Sequence, residues 1–405
     1  MKAVHVNAVS GIRSTGHFCL EISNYINSGS DVSYIAYAEG ENYENEYIIG
    51  NRIDRKMHAL ASRAFGKQSY FSKNSTKEFL GFLEEIEPDI IHLHNLHSNY
   101  INLDLLLNYI AKKDIATVLT LHDCWFFTGK CTHYTVSNCK KWIDGCHNCP
   151  RLKKDNPSWF FDCTPKMYQD KKKWFNNIPR LAVVGVSDWI TREAQKSFLS
   201  SSAIITRIHN WVDLEIFKPV DTTQLTISLA LQNKFVILGV ASIWSDEKGI
   251  EKFKELSYIL PDNIVIILVG TIPSNFDIPK NIISIPETHN TLELVKYYSL
   301  ADVLVNLSLE ETFGMVTAEA LSCGTPAIVF NSTANPELIG QGCGYIVDIE
   351  DSNGIKESIQ KVYNNGKEYY STSARSFAQK YFSKVERMEE YQELYQEIVR
   401  KGRKD

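Results

Sequence analysis

The segment Ser308-Leu309-Glu310-Glu311-Thr312-Phe313-Gly314-Met315-Val316-Thr317-Ala318-Glu319-Ala320 carries two glutamates, Glu311 in a turn and Glu319 further into a helical pattern. An apolar run at 303–307 precedes it, so the turn falls where a buried strand gives way to a helix. Free N–H groups and the positive end of the dipole at such a helix start suit a phosphate, and Gly314 lets the backbone approach closely. Glu319, a turn or more inside the helix, can accept hydrogen bonds from ligand hydroxyls. Lys248, in Glu247-Lys248-Gly249 after a strand at 235–240, supplies a preplaced cation that can stabilise negative charge on a ligand. Taken singly, each of these residues is equally at home on a solvated surface. It is their order along the chain that points to a site.

Four further groups carry chemistry. Gly11-Ile12-Arg13-Ser14-Thr15-Gly16 joins a first strand to a first helix, as a tight turn or as backbone N–H groups offered to a phosphate or sugar. His122 follows the strand at 117–121 and can donate and accept through distinct nitrogens, so it reads as a positioning residue. Cys131, Cys139, Cys146 and Cys149, with His133 and His147 interleaved, offer four soft ligands for a structural zinc, the alternative being unpaired thiols at gaps too wide for a standard finger. Over residues 112–174 twelve Lys/Arg face six Asp/Glu. Within 151–175 these are mixed with Trp159, Phe160, Phe161, Trp174 and Phe175, as an anionic membrane surface would favour and as a solvated helix face with its core residues would also allow.

The elements that must hold these groups follow from the apolar pattern. Strands at 4–9, 32–36, 90–93, 117–121 and 181–186 alternate with helices at 16–27, 76–85 and 100–113. A linker is expected around Pro219 and the Thr/Gln/Ser-rich stretch at 221–228. A second series then has strands at 235–240, 264–270, 282–285, 303–307 and 327–330 and helices near 249–260, 291–300 and 314–322. Beyond 370, Phe377, Tyr381, Val385, Met388, Tyr391, Tyr395 and Ile398 predict one long amphipathic helix. The architecture is α/β, with domains over 1–210 (Cys-rich insertion at 124–165) and 211–370, and a C-terminal helix over 371–405 packing back toward the first domain.

Length and composition agree with two such domains. The 405 residues are 44% hydrophobic and 22% charged, which excludes disordered and fibrous classes. A net charge of -5 argues against a nucleic-acid binder, no apolar run reaches the ~20 residues of a membrane span, and the N-terminus has no secretory signal pattern. A cytoplasmic protein is the expectation. With no Asp-x-Asp pair to hold a divalent ion against a diphosphate, catalysis is expected to need no metal.

Glu311-x7-Glu319 with Phe313-Gly314 between, Ala301-Asp302-Val303-Leu304-Val305 before and Gly324-Thr325-Pro326 after resembles the nucleotide-sugar site of retaining family 4 glycosyltransferases. His122-Asp123, Ser187, Asn210-Trp211-Val212-Asp213 and Glu247-Lys248-Gly249 stand in the family's order, and the 124–174 region is similar to a bacterial exopolysaccharide, capsule and O-antigen subset. The resemblance implies the GT-B fold, two Rossmann-like domains facing across a cleft. It implies a nucleotide-diphosphate sugar as donor and a saccharide as acceptor, lipid-linked and met at the inner face of the cell membrane. Glu319 would hold the ribose, Glu311 the transferred sugar, and Lys248 with Thr312, Phe313, Gly314 and Met315 the diphosphate, Gly16 joining from the first loop; His122 would face the sugar or acceptor. One departure stands out: where many members place an arginine after the strand, this chain reads Gly239-Val240-Ala241-Ser242, so Arg13, or Ser242 with backbone groups, must serve instead. A nucleotide-sugar epimerase is the competing enzyme class, separable by incubating donor alone.

Overall fold

The computed structural model describes residues 1–40, 43–288, 290–349 and 351–401. The backbone clusters into two compact units: Met1–Ile208 with Met388–Asp405, and His209–Arg387. Residues 402–405 of the C-terminal segment lie outside the described residues.

The first unit is built on seven parallel strands: β1 (Lys2–Val6), β2 (Val32–Tyr37), β3 (Glu46–Ile48), β4 (Ile90–Leu93), β5 (Ala116–Leu121), β6 (Leu181–Gly185) and β7 (Ile204–Arg207). Their order is β3-β2-β1-β4-β5-β6-β7. The second unit repeats the scheme with β8 (Phe235–Ile243), β9 (Ile264–Thr271), β10 (Ile282–Ile285), β11 (Val303–Asn306), β12 (Ala327–Phe330) and β13 (Gly344–Val347), ordered β10-β9-β8-β11-β12-β13. Both orders reverse at the first strand of the unit, which is where Rossmann-type sheets receive ligands at their carboxyl edge. The central strands β4, β5, β6, β11 and β12 are buried along their whole length, because helices cover both faces of the sheet.

In chain order the helices are α1 (Arg13–Asn27), α2 (Arg52–Phe65), α3 (Lys73–Ile86), α4 (Leu103–Lys113), α5 (Thr164–Asn176), α6 (Asp188–Lys196), α7 (Thr223–Ser228), α8 (Ile250–Ile259), α9 (Thr291–Leu300), α10 (Met315–Ser322), α11 (Ser352–Asn365), α12 (Lys367–Tyr381) and α13 (Lys384–Arg400). The central strands and the helices α1, α3, α4, α8, α9 and α10 stand where the apolar pattern puts them, whereas the strands β3, β7 and β13 and the helices α5, α6 and α11 have no counterpart among the expected elements. Four further features differ. Helix α1 begins at Arg13, so Gly16 lies inside the helix; a Cβ there would sit 3.2 Å from the Gly11 nitrogen and from Val9 Cγ2, so glycine lets the helix lie directly on the backbone leaving β1. The stretch at 221–228 contains a short helix, α7. Helix α2, which the apolar pattern does not predict, is capped by Asn51, whose side chain accepts from the Ile53 and Asp54 N–H groups, and is closed by the left-handed Gly66.

The fourth is the C-terminal segment, which forms two helices instead of one. Phe382 leaves helical geometry (φ -120, ψ 20), and its carbonyl accepts from Val212 N–H at 3.0 Å in place of the next turn. Its ring is buried against Phe313 and Phe377. Burial of that ring outweighs continuity of the helix. Beyond the break α13 clusters with the first unit from Met388 onward, burying Met388, Tyr391, Leu394, Tyr395 and Ile398 on one stripe.

Candidate active site

At the carboxyl edge of the second sheet, β11 runs into the loop that carries Glu311 and then into α10. The loop is pinned at many points. Asn306 accepts from Ser308 N–H and donates to Thr317 Oγ1, Asn335 donates to the Ser308 carbonyl, and Glu311 N–H donates to Thr333 Oγ1 at 2.9 Å. Leu309 N–H also bonds the Glu247 carbonyl, tying this loop to the lysine loop. The consequence is seen at Lys248: its Nζ lies 2.6 Å from Glu311 Oε1 and 3.2 Å from Ser308 Oγ. Gly249, at φ 80, allows that approach, since a Cβ would meet Leu307 Cβ at 2.6 Å.

Gly314 stands at the N-cap of α10 in the left-handed region (φ 102) with no side chain to cap the helix. Its first amides are left for a ligand. Thr312 and the Phe313 ring are buried, the latter against His209 and Phe382, so what this segment can offer a ligand is backbone. At the far end of α10, Arg375 donates to the Ser322 carbonyl at 2.6 Å and fixes the helix. Inside α10, Glu319 accepts from the Tyr298 hydroxyl at 2.6 Å. Burial pushes the Glu319 carboxyl up to about 7, the Tyr298 hydrogen bond opposing the shift. One unit thus gathers Lys248, Glu311, Thr312, Phe313, Gly314, Met315 and Glu319 on one loop and helix, with cation, amide donors and a hydroxyl-binding carboxylate. This arrangement can hold a diphosphate and the hydroxyls attached to it.

His122 and Gly16 belong to the first unit. His122 directly follows β5, its ring stacked on Phe18 (6.3 Å, 5°). Its Nε2 meets His94 Nδ1 at 3.1 Å, and His94 Nε2 meets His5 Nδ1 at 3.2 Å. The motifs do not disclose this ladder, although a signal for it exists: His92 in β4 and His94 just past its end are two residues apart, and His5 pairs with His92 in register. His5 Nε2 is buried with no partner. A bare nitrogen there costs less than a stranded N–H, which orients the chain: His5 Nδ1–H donates to His94, His94 Nδ1–H donates to His122, and His122 keeps its own proton on Nδ1. Burial lowers His122 to about 4, Asp123 opposing, so the ring is neutral and acts as a hydrogen-bond donor. The His5, His92 and His94 nitrogens are close enough to share an ion. Five of the six already have hydrogen-bond partners, His92 bonding Tyr395 and Thr120.

The insertion has one short 3-10 turn, Lys141–Ile143, before α5. All nine cysteines are free, and Cys131 and Cys149 sulfurs lie 4.0 Å apart. That is close to the ~3.8 Å edge of a tetrahedral zinc–thiolate site with 2.3 Å bonds. Cys146 Sγ accepts from Gly129 N–H at 3.1 Å. Among the described residues no group of three or more ligating side chains within reach of one ion includes a cysteine. The basic and aromatic residues of 151–175 divide. Lys171 is buried 3.4 Å over the Trp125 ring and donates to the Trp125 and Thr128 carbonyls, and Trp174 and Phe175 sit in the core on the inner face of α5. Trp159, Phe160 and Phe161 are exposed.

Known proteins share this build. Sucrose-phosphate synthase from Thermosynechococcus elongatus superposes with a TM-score of 0.73 at 15% identity, covering 99% of this chain and all of that one. Anabaena HepE, solved with UDP-glucose, gives 0.68 at 16% identity over 98% of this chain and all of its own. The fold is GT-B, two Rossmann-like domains in one chain. In sequence, the family model Glycosyltransferase Family 4 matches residues 22–216 and Glycosyl transferases group 1 matches 224–381. The putative colanic acid biosynthesis glycosyl transferase WcaC of Escherichia coli K12 is 25% identical over 330 residues, 77% of either chain. An Escherichia coli UDP-Gal:alpha-D-GlcNAc-diphosphoundecaprenol alpha-1,3-galactosyltransferase is 24% identical over 48% of this chain and 54% of its own. The chain belongs to the family 4 glycosyltransferases.

Proposed function

We propose that this glycosyltransferase moves a sugar from a nucleotide diphosphate onto a lipid-linked saccharide with retention of anomeric configuration, in the assembly of a bacterial surface polysaccharide. The observation that carries this reading is the Lys248 ammonium held by Glu311 and Ser308 in the same loop-and-helix site as the uncapped start of α10. The bond from the sugar's C1 to the diphosphate oxygen breaks, with its electron pair leaving on the diphosphate. Lys248 and the α10 amides stabilise that charge. The acceptor hydroxyl forms the new C1–O bond on the same face, and its proton passes to the departing phosphate oxygen. Glu311 holds the sugar hydroxyls, Glu319 the ribose, and His122 donates from Nδ1 to the sugar or acceptor. Lys248 and backbone amides fill the role a divalent ion has elsewhere, so no metal takes part in the step. The names of the relatives, a colanic acid transferase and one acting on a diphosphoundecaprenol, support the polysaccharide and lipid-linked parts.

The test is a panel of UDP-, GDP-, ADP- and dTDP-sugars scored by thermal unfolding, then product analysis by NMR. One donor at ~100 times its dissociation constant should stabilise the fold by about 2.7 kcal/mol, and the product's anomeric coupling should match the donor's. An inverted product, or rates that rise on adding Mg²⁺ or Mn²⁺, would overturn the mechanism.

A structural zinc in the insertion is part of the same proposal. The Cys131–Cys149 pair and the Cys146 knuckle would supply thiolates, closed by Cys139, and the ion would staple a segment with little regular structure. Elemental analysis should find one zinc per chain, lost on mutating Cys131 and Cys149 to serine; a metal-free, fully folded preparation would remove the zinc.

A further inference from the structure

A groove of about 660 Å³ opens at the carboxyl edge of the first sheet, and its wall is strongly cationic. Arg13 comes from the start of α1, whose N-cap Ile12 has no capping side chain, and Arg52, Arg55, Lys56 and Arg63 come from one edge of α2. Arg55 donates to the Ala38 carbonyl. Among the described residues Arg13, Arg52, Lys56 and Arg63 have no acidic partner, and the one acid in the wall is the exposed Glu39. Like charges gathered around a groove repel one another until an anion enters.

The next face of α2 is apolar and outward. Ile53 is 74% exposed, Met57 59% and Leu60 48%, spaced by four and three residues on one stripe. The buried face is polar, with His58 and Ser62. At the C-terminal end of α2 stand the exposed Phe65 and Phe160, the latter brought there because Trp159 N–H bonds the Arg63 carbonyl and Gly66 leaves room for the Phe161 carbonyl. Helices that expose aliphatic side chains beside basic ones, with aromatic rings at one end, are built to lie in a membrane interface.

We infer that the groove binds the diphosphate of a lipid-linked saccharide acceptor, Arg13, Arg52, Lys56 and Arg63 clamping its oxygens. The stripe of Ile53, Met57 and Leu60, together with Phe160, receives the hydrocarbon side at the bilayer surface. This inference rests on the lipid-linked acceptor of the proposed function. It adds where and by which residues the lipid end is held, and it moves the membrane contact from the whole basic stretch of 151–175 to α2 and the tip at 159–161.

The full chain is mixed with phosphatidylcholine vesicles in three arms: alone, with a few mole per cent undecaprenyl diphosphate, and with phosphatidylglycerol at matched surface charge. The diphosphate arm should bind about 10- to 100-fold tighter than the phosphatidylglycerol arm. Arg52→Ser/Lys56→Ser/Arg63→Ser should abolish that preference, and Ile53→Ser/Met57→Ser/Leu60→Ser should weaken binding in every arm. Unfolding temperatures check that both variants fold. Equal binding to the two anionic arms, or none in any arm, overturns the inference. If donor sugars still shift the unfolding temperature, only the lipid site has failed; loss of that shift as well would sink the transferase mechanism itself.

Discussion

Lys248→Ala should lower kcat by about 10²- to 10³-fold, the cost of deleting one preorganised donor aimed at developing charge. The segment 239–248 holds no arginine to share the work with Lys248, so the loss should stand at the upper end of that range. Donor affinity should fall less, because the ground-state diphosphate carries less charge on the bridging oxygen than the leaving group does. The fold should survive. The Lys248 side chain is 37% exposed, and a pair so placed contributes only about 0–1 kcal/mol. Steady-state kinetics with the identified donor, together with a thermal melt, separates these effects. A kcat within threefold of the parent would show that the ammonium is not the group facing the leaving phosphate.

Glu319→Gln should show the second large effect, and its sign depends on pH. The native carboxyl titrates at about 7 against an ordinary 4.5, because burial disfavours its charge. Between those values the folded protein binds a proton that the unfolded chain has released. Stability from this residue is therefore complete below the ordinary value, falls as pH rises through about 7, and is level above it. The separation corresponds to at most roughly 3 kcal/mol, reduced by the side chain's partial contact with solvent. Glutamine keeps the Tyr298 hydrogen bond without the charge, so the variant should unfold at a higher temperature than the parent at pH 8 and at a similar one near pH 5. Donor binding should move the other way. The parent's affinity should climb with pH to about 7 as the carboxylate forms, while the variant binds ~10–100 times more weakly with no such climb, each hydrogen bond to a charged group contributing about 1.5–3 kcal/mol. A parent whose melting temperature and donor affinity are flat from pH 5 to 8 would remove Glu319 from this role.

The buried strands and the glutamate loop were legible because both depend on local pattern: continuous apolar runs, then a glycine at a helix start. Helix α2 was not, for a physical reason. Apolar periodicity finds helices whose apolar face turns inward, and here His58 and Ser62 go inward while Ile53, Met57 and Leu60 go out. Its ends could have been read from Asn51 and Gly66. The break at Phe382 was hidden because the residues on either side keep helical spacing, and only the packing partners Phe313 and Val212, far away in sequence, decide it. The histidine ladder needed strand register, which a single strand cannot supply. Lys171 read as part of a charged face because its charge was visible in the sequence while the Trp125 ring that it packs on was not, whereas Trp174 and Phe175 stand in the core, as the reading of a solvated helix with core residues allowed.

From Met388 onward helix α13 completes the first unit, where Tyr395 hydroxyl meets His92 Nδ1 at 2.5 Å and Tyr391 hydroxyl meets Thr120 Oγ1 at 3.2 Å. In topological terms the second unit is an insertion within the first. On the proposed donor site, a chimera that exchanges donor specificity must splice in residues 209–387 between two native segments, and a chain cut after residue 208 would expose the polar rungs of its own sheet to water.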